Sequence, residues 1–89
     1  MSAIYRRTAA TMSTEVGDDV VALQPERGFA YGMENVTATV WRLLEEPRDL
    51  NALVAALTAE YDVDEGQCHS EIAALLEQMT SEGLVEEVQ

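Results

Sequence analysis

The stretch GFAYGMENVTATVWRLLEEP, residues 28–47, changes its hydrophobic period partway through, and that change constrains the fold more than any other feature. Phe29, Tyr31 and Met33 alternate with the small residues Ala30 and Gly32. A period of two puts the three large side chains on one face of a strand. From Val36 onward the spacing becomes helical, with Val36, Val40, Leu43 and Leu44 on one face and Trp41 beside them. Glu34 or Asn35 stands where a helix cap belongs, and Pro47 forbids continuation. A strand must therefore hand over directly to a helix.

Extending the reading in both directions gives the remaining elements. Residues 8–15, TAATMSTE, suit an edge strand, Gly17-Asp18-Asp19 a turn, and Val20-Val21-Ala22-Leu23 a second strand. Pro25-Glu26-Arg27-Gly28 is a further turn, so three short strands form a meander whose third member is Phe29 to Met33. After the first helix, Asp49 caps a second that keeps Leu50, Leu53, Val54, Leu57 and Tyr61 on one face. Asp64 opens a third, with Cys68, Ile72, Leu75, Leu76 and Met79 inward. Gly83 closes it from the C′ position, and Leu84 to Val88 suit a short terminal strand. Three strands followed by three helices make an α+β chain. Its 89 residues suffice for one domain, expected over residues 8–89 after a flexible tail at residues 1–7.

Charge narrows the functional classes. Seventeen acidic residues face five arginines and no lysine, giving −12, and ten carboxylates follow Arg48 without another basic side chain except His69. Nucleic acid is repelled, because binding it needs cations to displace counterions from phosphates. A winged-helix DNA-binding regulator, which three helices and a small sheet would suit, is opposed on the same ground. An anionic membrane surface is disfavoured too, and no apolar run is long enough to span a bilayer. A basic peptide or protein face is the natural partner. The start of the chain lacks the apolar core of a secretory signal, and the single cysteine, Cys68, has no internal disulfide partner. Both agree with a cytoplasmic protein.

No reactive constellation emerges. Cys68 and His69 are neighbours on a helix and point about 100° apart, so they cannot act on one another. Zinc needs three or four ligands, and no second Cys or second His exists. The acidic pairs fall at helix ends and turns, where they read as solvated faces. Asp62-Val63-Asp64-Glu65-Gly66 lacks the alternation and the distal glutamate of a calcium loop. No cofactor and no enzymatic activity are expected. What remains is a binding module whose third strand either offers an open edge to an added strand or lies covered by the third helix.

Several blocks resemble the PqqD family. They are Gly28-x-x-Tyr31-Gly32-Met33, then Ala38-x-Val40-Trp41-x-Leu43-Leu44-Glu45-x-Pro47, then Leu53-Val54-x-x-Leu57-x-x-x-Tyr61-x-Val63, and the closing run from Ile72 through Met79 to Gly83-Leu84-Val85. Two departures stand at Met33-Glu34, where the family usually has Leu-Asn, and at Val36-Thr37, where a glycine is common at the second position. They bear on the entry to the first helix. The family comprises RiPP recognition elements, which bind the leader of a ribosomally made precursor peptide. The resemblance implies a three-stranded antiparallel sheet on a three-helix, winged-helix-like bundle. It also implies a leader added beside the third strand and enclosed by the third helix. Carried onto this chain, it makes Phe29, Ala30, Tyr31, Gly32 and Met33 the docking edge, with Cys68, Glu71, Ile72 and Leu75 lining the groove. The implied partners are a precursor leader peptide and a processing enzyme, with a lasso-peptide leader peptidase favoured and a cyclase as a further recipient. The quinone-cofactor pathway with its radical enzyme is the alternative. A chain ending at Gln89 is expected to act free-standing, as a monomer or a weak dimer through an open edge.

Overall fold

A computed structural model describes residues 3–88. It contains β1 (Ile4–Arg7), β2 (Met12–Val16), β3 (Asp19–Gln24), β4 (Phe29–Met33), α1 (Asn35–Leu43), β5 (Arg48–Asp49), α2 (Leu50–Glu60), α3 (Glu65–Ser81) and β6 (Val85–Val88). The expected meander is the antiparallel sheet β2-β3-β4. A second antiparallel sheet, β5-β1-β6, joins the two ends of the chain.

That second sheet corrects the expected tail. Residues 4–7 form β1, which pairs along its whole length with β6, from Ile4 opposite Val88 to Arg7 opposite Val85. It also pairs with β5 through Ile4 opposite Asp49. Arg6 is ion-paired with Glu86 at 2.7 Å, and the Arg7 guanidinium lies 4.5 Å from the Trp41 ring centroid while donating to the Trp41 carbonyl. A four-residue strand carries little local signal, and its partner lies some eighty positions away, so only tertiary pairing reveals it. The first two positions of the expected tail, and Gln89 at the end of the expected domain, lie outside the described residues.

The meander's inner face follows from the alternation. Val20, Ala22 and Met33 are buried, and they meet Ala38, Val40, Trp41 and Leu44 of the first helical segment, Leu53, Val54 and Leu57 of α2, and Cys68, Ile72, Leu76 and Met79 of α3. Trp41 is 1% exposed and its indole donates to Ser13 Oγ at 3.0 Å, so it is a core residue that also ties α1 to β2.

The helix boundaries have local causes. Asp49 Oδ1 accepts from Ala52 N at 2.7 Å, and Asp64 Oδ2 from Gln67 N at 2.9 Å, as N-caps should. α1 differs from expectation: Glu34 occupies its N-cap position without a side-chain hydrogen bond, and Asn35 does not cap either. Instead Asn35 turns the chain at φ +53°, a left-handed conformation that asparagine tolerates better than most residues. α3 ends as predicted. Gly83 has φ +77°, with Gly83 N donating to Thr80 O and Leu84 N to Met79 O, the paired bonds of a Schellman ending. Thr8 and the buried Gln24 then both donate to the Gly83 carbonyl, at 2.7 and 2.8 Å, locking the end of α3 to the meander.

Candidate functional site: a groove between a free strand edge and the third helix

In the order β2-β3-β4, β4 has a hydrogen-bonded neighbour on one side only. Its other edge keeps unpaired N–H and C=O groups, which can template a further strand. The edge is not sealed by α3. A hollow of about 220 Å³ separates Tyr31, Gly32 and Met33 from Leu75, Gln78 and Glu82. A second, of about 350 Å³, continues along α3 past Val36, Thr37, Glu71, Ile72 and Leu75. A third, of about 260 Å³, lies where Tyr61 and Val63 approach Cys68, Glu71 and Ile72. Leu75 and Gln78 are shared by the first two, and Val36, Glu71 and Ile72 by the last two. The three hollows therefore form one groove along α3.

Helical spacing explains the wall. Glu71, Leu75, Gln78 and Glu82 recur at four, three and four residues, so they form a stripe beside the buried row of Cys68, Ile72, Leu76 and Met79. The opposite wall is β4 and then the first turn of α1. Apolar side chains such as Val36, Ile72 and Leu75 share the lining with the polar Glu71, Gln78 and Glu82. Among the described residues, Glu71 and Glu82 take part in no ion pair, while Glu71 Oε1 accepts from Gln67 Nε2 at 3.2 Å. All five arginines are engaged elsewhere: Arg6 with Glu86, Arg42 with Glu15, Arg48 near Glu46, Arg7 on the Trp41 carbonyl and Arg27 on the Ser81 carbonyl. Glu71 therefore carries negative charge with no cation in ion-pair contact, while Arg27 stands against the backbone on either side of Glu82.

Seven of the nine residues singled out from the sequence line these hollows: Tyr31, Gly32, Met33, Cys68, Glu71, Ile72 and Leu75. Met33, Cys68 and Ile72 do so from the core, while Leu75 and Tyr31 are half-buried. Phe29 and Ala30 belong to the strand edge and lie outside the hollows. Phe29 is 58% exposed, with its ring 6.2 Å from that of Tyr31. A side chain at Gly32 would meet nothing within 4 Å, on the solvent face opposite the buried Met33. Gln78 and Glu82 were missed, although the helical spacing from Glu71 through Leu75 leads straight to them. Tyr61 and Val63 had no comparable signal, since a loop after α2 brings them in.

Nothing in the groove is poised for covalent chemistry. The Cys68 thiol is 5% exposed, and burial pushes its pKa up, with the nearby Glu71 and Glu65 charges adding to the effect. Among the described residues no three His, Cys, Asp or Glu side chains gather as metal ligands, and no helix is long and apolar enough to cross a membrane.

The sequence profile of the PqqD family, described as coenzyme PQQ synthesis protein D, matches residues 19–85. A solved structure of TbiB1 in complex with the TbiA(β) leader peptide superposes with a TM-score of 0.88 at 28% identity, covering 94% of this chain and 98% of that one. A structure of lasso peptide synthetase B1 complexed with its leader peptide shares the fold, with a TM-score of 0.82 at 20% identity over 92% of this chain and 96% of the other. A comparison with curated proteins returned no match.

Proposed function

The chain belongs to the PqqD family, and from that premise we propose that it is a non-catalytic carrier for the leader of a ribosomally made precursor peptide. The leader adds as a strand to the free edge of β4 and fills the groove along α3. The observation that carries this reading is the coincidence of an unpaired strand edge with an open, partly apolar channel beside it. An edge alone is a liability that proteins usually cover. An edge with shaped space for alternate side chains is a recognition device, in which backbone bonds supply affinity and side-chain pockets supply selectivity. The structural likeness to TbiB1, whose solved structure contains a leader peptide, supports the same reading.

The carrier hands its leader to a processing enzyme, and we favour a lasso-type leader peptidase as the recipient. The docking edge runs from Phe29 to Met33, and Cys68, Glu71, Ile72 and Leu75 face the bound peptide's side of the groove. A DNA-binding role is disfavoured because the net charge is −12 and α3 carries no arginine or lysine to meet phosphates.

The test uses the leader of any short precursor encoded beside this chain, labelled for fluorescence polarisation and N-methylated at one backbone nitrogen at a time. Strand addition makes alternate N–H groups essential, because only every second one points at β4. Each essential bond contributes about 0.5–1.5 kcal/mol, so affinity should oscillate with period two by roughly two- to tenfold. A smooth or flat profile would refute strand addition, and no saturable binding of the unmodified leader would refute leader carriage.

A further inference from the structure

Resting on that leader-binding reading, we infer that Glu71 and Glu82 set the register of the bound peptide by each taking one cationic side chain, four or six leader residues apart, with an apolar leader residue between them over Leu75. Glu71 lies on α3 and Glu82, eleven positions on, is its C-cap residue, which at 1.5 Å per residue separates them by about 16 Å. Eleven residues also bring the helix back to within roughly 20° of the same direction, so both face the groove. Glu82 lines the hollow against β4, Glu71 lines the other two, and Leu75 lies between them at the junction.

An extended peptide covers about 16 Å in five residues. Residues five apart point to opposite faces of a strand, so those that share a face are four or six apart. Lysine and arginine side chains are long and flexible enough to take up the remaining few ångströms. The residue two positions inside the first cation shares its face and falls on Leu75. A slip of one residue would turn both cations away from α3 and bring their neighbours inward, so charge at the two ends discriminates against neighbouring registers. The occupant is argued from complementarity: both glutamates lack an ion-pair partner among the described residues, and the arginine nearest Glu82, Arg27, is spent on the Ser81 carbonyl.

A general acidic field would attract a basic leader without choosing a register, and the experiment separates the two. Glu77 is exposed on α3, lines none of the three hollows and carries the same charge. The variants Glu71→Lys, Glu82→Lys and Glu77→Lys therefore change net charge equally. Each is titrated by fluorescence polarisation with the labelled leader that binds the unmodified protein, and with leaders in which one Lys or Arg at a time becomes Glu. Circular dichroism confirms that the variants fold, and the altered leaders against the unmodified protein supply a readout independent of folding.

The register reading expects about a three- to tenfold loss for Glu71→Lys and for Glu82→Lys, and less than about twofold for Glu77→Lys. It further expects each loss to be restored by one altered leader, with the two restoring positions four or six apart. Equal losses for all three variants, absence of any restoring leader, or a leader without basic residues at such a spacing would overturn it while leaving strand addition intact. If the unmodified pair shows no saturable binding, leader carriage fails first and the register inference falls with it.

Discussion

Leu75 lines the groove without belonging to the buried core, and Leu75→Ala tests whether the leader covers it. Its side chain is partly buried in the free protein and sits where two hollows meet. Truncation to alanine removes three carbons, equivalent to roughly 2.4 kcal/mol at about 0.8 kcal/mol per buried methylene. At least about two thirds of that apolar surface is already sheltered, so stability should fall by about 1.6 kcal/mol, which lowers Tm by roughly 6–13 °C in a domain of this size. The remaining third is left for the leader to cover, so binding should weaken by about 0.8 kcal/mol, roughly fourfold in Kd. Ile72 provides the contrast, because at 3% exposure it belongs to the core. Ile72→Ala should cost about 2–5 kcal/mol of stability, a large share of what so small a domain holds. Fluorescence polarisation gives Kd and thermal circular dichroism gives Tm for both variants. If Leu75→Ala lowers Tm as expected and leaves Kd unchanged, the peptide does not run along this stripe of α3.

Two further perturbations probe the scaffold and the far hollow. Gly83→Ala places a Cβ 3.3 Å from Gln24 Nε2 on a residue held at φ +77°, and the left-handed conformation alone costs about 1–2 kcal/mol; a thermal melt should show Tm lower by roughly 5–15 °C, and an unchanged Tm would mean that the end of α3 relaxes freely. Cys68 lines the 260 Å³ hollow with its thiol pKa raised chiefly by burial, so Ellman's reagent at pH 8 should react at least about tenfold more slowly with the folded protein than with the urea-unfolded chain. Saturating leader should slow the reaction further; equal rates with and without leader would place the peptide elsewhere.

Much of the local structure was legible because its causes are local. The change of period after Met33, the caps Asp49 and Asp64, and the glycine ending at Gly83 each act within a few residues, and all three helices lie where those signals put them. The net charge of −12 with arginine as the only cationic side chain apart from His69 also needed no coordinates to argue against phosphate recognition. The site was legible in part. The alternation Phe29 to Met33 located the strand, and helical spacing through Glu71 and Leu75 located the wall facing it.

Tertiary structure alone decided the rest, for a common physical reason: these features depend on groups far apart in the chain. The sequence admitted two fates for the third strand, an open edge or one covered by α3. Only the packing of α3 on the core, with its Glu71–Glu82 stripe standing off β4, leaves the edge free and opens the groove. The strand at Ile4–Arg7 exists because β6 returns beside it after the last helix, and residues 4–7 by themselves do not encode that return. The junction of Tyr61 and Val63 with Cys68 arises where α2 and α3 converge. Periodicity reports which face of an element is apolar, since that depends on neighbours three or four positions away. Which two faces meet, and how much space is left between them, depends on packing free energy summed over the whole domain.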